Sequence, residues 1–226
     1  MTRDREGGDL RTTARIRMRR RCVRAGCAHL PLPTRPTRLT ARLRRTLWRG
    51  ALTLTGGIRR TGRLPEGGCV VVANHTSHAD TAALLAALDA RHAPRIAAAA
   101  DYWFATPWRR RICRRLAAGF PVRRTGGGLG DLLAMTEALR SGHAVVLFPE
   151  GTRARDESLG TFHRGAVLLA REAKVPLVPV ALLGTGELLP KHGRLQRTRL
   201  TVRIGTPLPA TVTPDEARDA VAALLR

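Results

Sequence analysis

From Gly67 onward, the sequence alternates between short, almost continuously apolar runs and longer segments with helical spacing. The runs "CVVVA" and "AVVLF" are strand-like, whereas "DTAALLAALDA" and "GAVLLAREA" have helical spacing. Continuously apolar strands are buried on both faces, and such strands are typical of parallel sheets that helices cover on both sides. The alternation therefore predicts a single α/β domain with a largely parallel or mixed sheet flanked by helices.

The length and composition agree with one folded domain. With 226 residues, 43% of them hydrophobic, the chain can bury a substantial core. It contains no run of about 18 apolar residues, so we predict no transmembrane helix. The basic N-terminus also lacks the apolar run and the small-residue cleavage site of a secretory signal. Further strands are expected in "RIAAAA", "PLVPVALLG" and "RLTVRIG", and further helices in "YWFATPWRRRICRRLAA" (broken near Pro107), "DLLAMTEALRS" and "PDEARDAVAALLR".

The chain is strongly basic, and the excess is greatest near its start. The formal net charge is +23, from 40 basic and 17 acidic residues. The first 50 residues hold 15 arginines and three acidic residues, which places +12 in that stretch. An excess of this kind attracts polyanions, so an anionic membrane surface and nucleic acid are both candidate partners.

The basic region divides into a tail and a helix. Residues 1–37 are rich in arginine and end in "PLPTRPTR", a composition that predicts a disordered tail. In the segment 38–60, Leu39, Leu43 and Leu47 recur at helical spacing and Trp48 lies nearby. A basic amphipathic helix of this type lies in membrane interfaces, although the same pattern fits a helix that packs on the domain core. Residues 61–226 remain as the main domain.

The cysteines show no metal-binding spacing. The chain contains Cys22, Cys27, Cys69 and Cys113, without a CxxC pair. We expect reduced thiols in a cytoplasmic protein, with a disulfide or a zinc site as the alternatives.

The first polar cluster follows the strand "CVVVA" and contains the sequence "NHTSHAD". A turn can bring His75 and Asp80 together, so that the carboxylate fixes the imidazole tautomer and leaves the other ring nitrogen as a general base. Two alternatives remain open. Ser77 and Asp80 fit a capping box at the start of the next helix, and His75, His78 and Asp80 could instead be part of a metal site.

The second polar cluster is "FPEGTR", residues 148–153, which follows the strand "AVVL". Loops at the carboxyl ends of strands form the binding crevice of open α/β sheets, so the two clusters are expected to meet there. An arginine with exposed backbone amides is suited to a phosphate or a carboxylate. An ordinary turn with a surface arginine is the alternative.

Taken together, these motifs resemble those of the glycerolipid acyltransferase family typified by 1-acylglycerol-3-phosphate acyltransferase. "NHTSHAD" matches the family's NHxxxxD motif and "FPEGTR" its FPEGTR motif. The segments "GFPVRR", "FHRGA" and "VPLVPVAL" resemble further family blocks. The resemblance covers residues 62–205, and it departs from the family pattern at Pro121 and Arg123.

The resemblance implies a role for each matching residue. His75 resembles the general base that deprotonates the acceptor hydroxyl, and Asp80 resembles its orienting partner. The implied substrate-binding residues are Asn74, Arg124, Glu150, Gly151, Thr152 and Arg153, with the arginines placed to receive a phosphate. No metal and no cofactor are implied, because the activated hydroxyl attacks an acyl thioester directly.

The resemblance also implies substrates and a location. The donor would be acyl-CoA or an acyl carrier protein, and the acceptor a lysophospholipid, most simply 1-acylglycerol-3-phosphate; a lyso-aminolipid or a glycosylated lipid is the alternative. Such an enzyme would lie at the cytoplasmic face of the cell membrane as a peripheral protein. A non-enzymatic nucleic-acid-binding protein is the rival, but no Phe, Tyr or Trp precedes Trp48 to interleave with the arginines for base stacking.

Overall fold

The computed structural model describes residues 37–153, 158–190 and 194–226. Thr37 is the N-cap of the first helix, while the rest of the predicted tail, with Cys22 and Cys27, lies outside the described residues. The helices are α1 (Arg38–Leu54), α2 (Ala79–Ala87), α3 (Ala100–Trp103), α4 (Pro107–Leu116), α5 (Gly128–Leu133), α6 (Thr136–Arg140), α7 (Gly165–Ala173), α8 (Thr185–Leu188) and α9 (Pro214–Leu225), with a 3-10 turn at Ala90–His92. The strands are β1 (Ile58–Thr61), β2 (Cys69–Ala73), β3 (Arg95–Ala99), β4 (Gly119–Val122), β5 (Ala144–Leu147), β6 (Leu177–Leu183) and β7 (Leu200–Ile204).

These strands form one mixed sheet in the order β1-β7-β6-β2-β5-β3-β4. Among the described strands, β6 and β7 pair antiparallel and all other neighbours pair parallel. The predicted α/β class with a largely parallel or mixed sheet is therefore confirmed. Because β2 and β5 are parallel neighbours, their carboxyl ends lie side by side, and the two polar clusters that follow them meet at this edge.

The core consists of two apolar layers, one on each face of the sheet. All five residues of β2 are buried, and alternate side chains point to opposite faces, as the strand period requires. Val71 packs in one layer with Leu84 of α2, and Val70 packs in the other with Leu169 of α7. Each such buried side chain contributes about 1.5–3 kcal/mol, which is why the central strands are continuously apolar.

The helix α1 ends earlier than the predicted helical segment. It ends at Leu54, and residues 58–61 form β1, which pairs with β7. The last residues of the predicted helical segment 38–60 therefore belong to the sheet. The glycine pair Gly56–Gly57, both with positive φ, makes the helix end here because that backbone conformation is incompatible with a right-handed helix.

The leucine row of α1 faces away from the domain. Leu39, Leu43 and Leu47 are 65%, 64% and 53% exposed, whereas Leu52 on the opposite face is 4% exposed and packs in the core. The leucine row itself therefore does not pack on the core, although α1 packs on the domain through Leu52 on its other side. None of the helices in the part of the chain that the structure describes has both the length and the apolar character that a membrane span requires.

Candidate active site

The two polar clusters lie in adjacent loops and are joined by a hydrogen bond. The loop after β2 carries His75, and the loop after β5 carries Glu150. The backbone N–H of His75 donates to Oε1 of Glu150 at 2.8 Å. The parallel pairing of β2 and β5 thus brings together residues that are 75 positions apart in the sequence.

His75 and Asp80 form the central pair of this site. Nδ1 of His75 lies 2.7 Å from Oδ2 of Asp80. The Asp80 side chain is completely buried, whereas the His75 side chain is 21% exposed. The carboxylate can only accept, so Nδ1 carries the proton and Nε2 has a free lone pair for a proton from elsewhere. The His75 ring stacks on Phe148 with 4.1 Å between centroids, and this contact further fixes its orientation.

Asp80 orients the histidine and stabilises the helix start with the same atom. Its Oδ2 also accepts from the backbone N–H groups of Thr76 at 2.8 Å and Ser77 at 2.9 Å. Ser77 Oγ accepts from the N–H of Ala79. Oδ2 of Asp80 thus makes both the contact with His75 and the bond from the Ser77 N–H. The reciprocal bond of a capping box is not formed, because α2 has His78 as its N-cap, without a side-chain cap hydrogen bond. Oδ2 is thus already occupied, and the described residues contain no group of three or more His, Cys, Asp or Glu that could hold a metal ion.

Asn74 lies at the end of β2, buried against β6. Its Nδ2 donates to the carbonyl oxygen of Leu182 at 3.0 Å, and its Oδ1 accepts from the N–H of Leu182 at 2.8 Å. The amide thus satisfies both backbone groups of a residue in the neighbouring strand. In this structure Asn74 fixes the start of the loop, and its predicted substrate contact stays a prediction.

Glu150 also has both oxygens occupied by backbone groups. Besides the bond from His75, its Oε2 accepts from the N–H of Gly160 at 3.0 Å. The carboxylate therefore holds three segments together: the loop after β2, its own loop and the chain before α7. This arrangement positions the loops, and a direct contact of Glu150 with substrate stays a prediction.

A cavity of about 770 Å³ opens beside the His–Asp pair. Its polar part includes His75, Arg124, Glu150 and Thr152, and much of the remaining wall is apolar. The apolar lining includes Trp48, Ala98, Ile112, Leu116, Val122 and Leu132. A cavity lined by both charged and apolar side chains suits a ligand with a charged group and a hydrocarbon chain.

The turn of the second cluster is formed by Gly151 and packed by a third histidine. Gly151 has φ +72°, and a Cβ added there would lie 3.3 Å from Cδ2 of His163. The His163 N–H donates to the carbonyl oxygen of Pro149 at 2.9 Å, and its side chain also lines the cavity. Thr152 is exposed and lines the cavity as well.

Two arginines were predicted for this site, and the structure gives them different surroundings. Arg153 is half-buried. Burial first, and then the positive charge of Arg153, lower the pKa of the neighbouring His78. Arg124 lies in the cavity wall and forms an ion pair with Asp101. The hydrogen bond from Arg124 lowers the pKa of the Asp101 carboxyl, so this carboxylate occupies the guanidinium in the absence of a ligand.

His78 and Arg123, which flank predicted site residues, take different positions. His78 lines the cavity, and its ring meets Trp103 edge-on with 6.2 Å between centroids. Arg123 forms an ion pair with Asp131 at 2.8 Å, which ties the end of β4 to α5. The two cysteines in the described residues, Cys69 and Cys113, are buried and free, and burial raises the pKa of each thiol to about 12.

Comparison with known proteins identifies the family. A family model described as Acyltransferase matches residues 57–183 of the 226-residue chain, which is more than half of it. The chain belongs to this acyltransferase family. The match spans both polar clusters, and it disfavours the alternative of a non-enzymatic nucleic-acid-binding protein.

The curated relatives that the chain resembles are named for one activity. The chain is 40% identical over 91 residues to a chloroplastic 1-acyl-sn-glycerol-3-phosphate acyltransferase of Brassica napus, covering 38% of this chain and 26% of the relative. It is 32% identical over 151 residues to the human 1-acyl-sn-glycerol-3-phosphate acyltransferase alpha, covering 65% of this chain and 52% of the relative. The chain thus spans between a quarter and about half of the length of these relatives.

A solved structure shows the same fold. The chain resembles the crystal structure of the 1-acyl-sn-glycerophosphate acyltransferase from Thermotoga maritima with a TM-score of 0.65. The two share 23% sequence identity, and the match covers 81% of this chain and 76% of the other. The similarity supports the α/β architecture described above.

Three residues of the candidate site were missed by sequence reasoning. Phe148 was quoted only as part of its motif, although the place of an aromatic side chain directly after β5 could have suggested contact with the neighbouring loop. His163 was quoted within "FHRGA" without a role. No sequence pattern predicts a role for Asp101, because its contact with Arg124 depends on how α3 packs beside β4.

Proposed function

We propose that this protein transfers an acyl group from an acyl thioester to the free hydroxyl of a lysophospholipid. The acceptor that fits the site's chemistry is 1-acylglycerol-3-phosphate, because it carries the phosphate that the arginines would bind; its product is phosphatidic acid. The single observation that supports the proposal most strongly is the His75–Asp80 hydrogen bond of 2.7 Å at a cavity with an apolar wall.

In the proposed reaction, Nε2 of His75 removes the proton from the acceptor hydroxyl. The oxygen then attacks the thioester carbonyl, a C–O bond forms, and the C–S bond breaks as the tetrahedral intermediate collapses. The imidazolium returns its proton to the departing thiolate, so the histidine ends as it began. Asp80 stabilises the imidazolium while it exists, as a buried carboxylate does in other His–Asp pairs.

The acceptor phosphate would bind at the cationic side of the cavity. Arg124 lies in the cavity wall, and Arg153 belongs to the turn that contributes Gly151 and Thr152. A guanidinium can bind two phosphate oxygens at once, which also fixes the direction of the acceptor. For Arg124 to do so, the phosphate must displace Asp101, and the phosphate competes well because it carries more charge.

The apolar wall and the charge support the proposed donor and location. The acyl chain would lie along the apolar lining that includes Ala98 and Leu132. The thiol carrier, coenzyme A or an acyl carrier protein, is anionic and would be attracted by the net charge of +23. The exposed leucine row of α1 supports peripheral binding to an anionic membrane surface, at its cytoplasmic face.

An assay with a panel of acceptors tests the proposal. The purified protein is mixed with one labelled acyl thioester and with 1-acylglycerol-3-phosphate, a lyso-aminolipid, a glycosylated lyso-lipid or a monoacylglycerol that lacks the phosphate. We expect labelled phosphatidic acid from the first acceptor and much less product from monoacylglycerol. Equal transfer to monoacylglycerol would contradict the phosphate site, and transfer to none of the panel would contradict the proposed activity.

A further inference from the structure

The helix α4 carries an exposed apolar row that neither the fold nor the catalytic pair explains. Trp108, Ile112 and Leu116 are spaced four residues apart and are 60%, 41% and 38% exposed. Residues at this spacing lie on one stripe of a helix surface. An exposed patch of large apolar side chains usually marks an interaction site.

This row borders the mouth of the cavity. Ile112 and Leu116 are themselves part of the cavity lining, as is Leu129 of α5, which is 43% exposed. Tyr102, just before α4, is 44% exposed. Ile112, Leu116 and Leu129 thus both line the cavity and reach the protein surface, where a lipid would have to enter.

The charges of α4 favour an anionic partner. The helix sequence "PWRRRICRRL" contains five arginines and no acidic residue. The guanidinium of Arg109 lies over the rings of Tyr102 and Trp108, 4.7 Å and 5.3 Å from their centroids. Aromatic rings beside arginines are suited to a membrane interface, where the rings enter the acyl boundary and the guanidinium groups meet lipid phosphates. Nucleic acid or an acidic protein would bind the arginines but would leave the aliphatic part of the row in water.

The helix α4 is also fixed to α1. Nε1 of Trp48 donates to the carbonyl oxygen of Leu116 at 2.9 Å. Nε of Arg44 donates to the carbonyl oxygen of Arg115 at 3.0 Å. The end of α4 is therefore held directly against the helix whose leucine row is exposed.

We propose that α4 is a second membrane-docking element, in addition to α1. Trp108, Ile112 and Leu116 would enter the acyl boundary of an anionic bilayer, so that the cavity mouth opens into the lipid and a lyso-lipid can enter without crossing water. The purpose of this docking rests on the proposed lipid-acylating function, but binding of α4 to the bilayer does not.

Vesicle binding of the full chain tests this proposal. The Trp108→Ser variant changes a residue outside the cavity lining, and Leu195→Ser is its matched control because Leu195 is 61% exposed in a different segment. Vesicles contain phosphatidylglycerol and phosphatidylcholine, and the salt concentration is about 0.5 M to screen the arginine-rich regions. Thermal melts of both variants confirm that they are folded.

We expect Trp108→Ser to lower the vesicle partition coefficient roughly tenfold, from the apolar area that no longer enters the bilayer, and Leu195→Ser to leave it unchanged. Brominated lipids should also quench tryptophan fluorescence more in the wild type than in Trp108→Phe. Equal partitioning and equal quenching in all variants would overturn the proposal.

Acyl transfer to detergent-dispersed acceptor, measured in parallel, separates the two proposals. Loss of vesicle binding in Trp108→Ser supports docking through α4 even if no variant transfers an acyl group, in which case the proposed function fails alone. Normal transfer combined with unchanged vesicle binding overturns the α4 proposal alone.

Discussion

Replacing Asp80 with asparagine should separate the catalytic role of this carboxylate from its structural role. Oδ2 accepts hydrogen bonds from Nδ1 of His75 and from the N–H groups of Thr76 and Ser77. Oδ1 is buried and has no partner among the described residues. An asparagine can therefore place its carbonyl oxygen at the Oδ2 position and its NH₂ group at the Oδ1 position. The local fold keeps its hydrogen bonds, but the negative charge is lost.

The charge sets the size of the expected effect. Two unit charges about 4 Å apart interact by about 4 kcal/mol at the effective dielectric constant of about 20 that describes proteins. Losing this stabilisation of the His75 imidazolium lowers the rate by about 10³-fold, since each 1.36 kcal/mol of barrier is about tenfold.

Asp80→Ala is the matched comparison. It removes the charge and also leaves the N–H groups of Thr76 and Ser77 without their acceptor. A buried unsatisfied group costs about 1–3 kcal/mol, so Asp80→Ala should lose about 2–6 kcal/mol of unfolding free energy as well as activity. Asp80→Asn keeps the acceptor for these N–H groups and leaves only its own NH₂ group without a partner, so it should lose activity with a smaller loss of unfolding free energy, about 1–3 kcal/mol.

Initial rates with saturating thioester and acceptor, together with urea unfolding of all three proteins, measure these effects. A turnover number for Asp80→Asn within tenfold of the wild type would refute the assigned role of the charge. Equal destabilisation by both substitutions would refute the argument that asparagine preserves the hydrogen bonds.

Three further predictions concern other parts of the domain. Asp101→Asn should free Arg124 for the acceptor phosphate and lower the apparent KM for a phosphate-bearing acceptor by about 1.5- to fivefold in steady-state kinetics. An unchanged or higher KM would contradict the competition between Asp101 and the phosphate for Arg124. Asn74→Ala should lower the unfolding free energy by about 2–4 kcal/mol in urea titrations, because both backbone groups of Leu182 lose their partners. A loss below about 1 kcal/mol would contradict the stabilising role of these two hydrogen bonds. Burial lowers the pKa of His92 from its ordinary value of 6.5, so protonation favours the unfolded chain and stability is lost as the pH falls through that value. The unfolding free energy of the wild type should therefore fall more steeply than that of His92→Asn between about pH 7 and 5. Equal pH dependence of the two unfolding free energies would contradict this role of His92.

The central strands and both polar clusters could be predicted from the sequence because their causes are local. A run such as Cys69–Ala73 can be so apolar only if both faces are covered, and this follows from composition alone. The parallel arrangement then places the ends of β2 and β5 together, so the proximity of His75 and residues 148–153 followed from fold class. The strands predicted in "RIAAAA", "PLVPVALLG" and "RLTVRIG" correspond to β3, β6 and β7.

Other features were not predictable, because they depend on contacts distant in the sequence. The strands β1 and β4 are short edge strands of four residues each, and β4 contains Pro121, which weakens a strand pattern but is tolerated at a sheet edge. The charged sequence of β1 gives no apolar signal. The Asp101–Arg124 pair and the stacking of Phe148 on His75 likewise require the tertiary structure.

The orientation of α1 shows a different limit of prediction from the sequence. The leucine periodicity defined one apolar face, but periodicity alone cannot tell whether such a face packs on the domain or faces outward. In the structure, Ala41 and Leu52 on the other face are buried, so that face packs on the domain. A second, weaker apolar side therefore packs inward, and the more apolar side is left exposed.

The turnover number of His75→Ala in acyl transfer to 1-acylglycerol-3-phosphate is the most direct test of the proposed mechanism. Because a positioned general base typically contributes about 10²–10⁴-fold, we predict a loss of that size with the melting temperature nearly unchanged. Turnover close to that of the wild type, in a folded His75→Ala protein, would show that another group accepts the hydroxyl proton and would contradict the account.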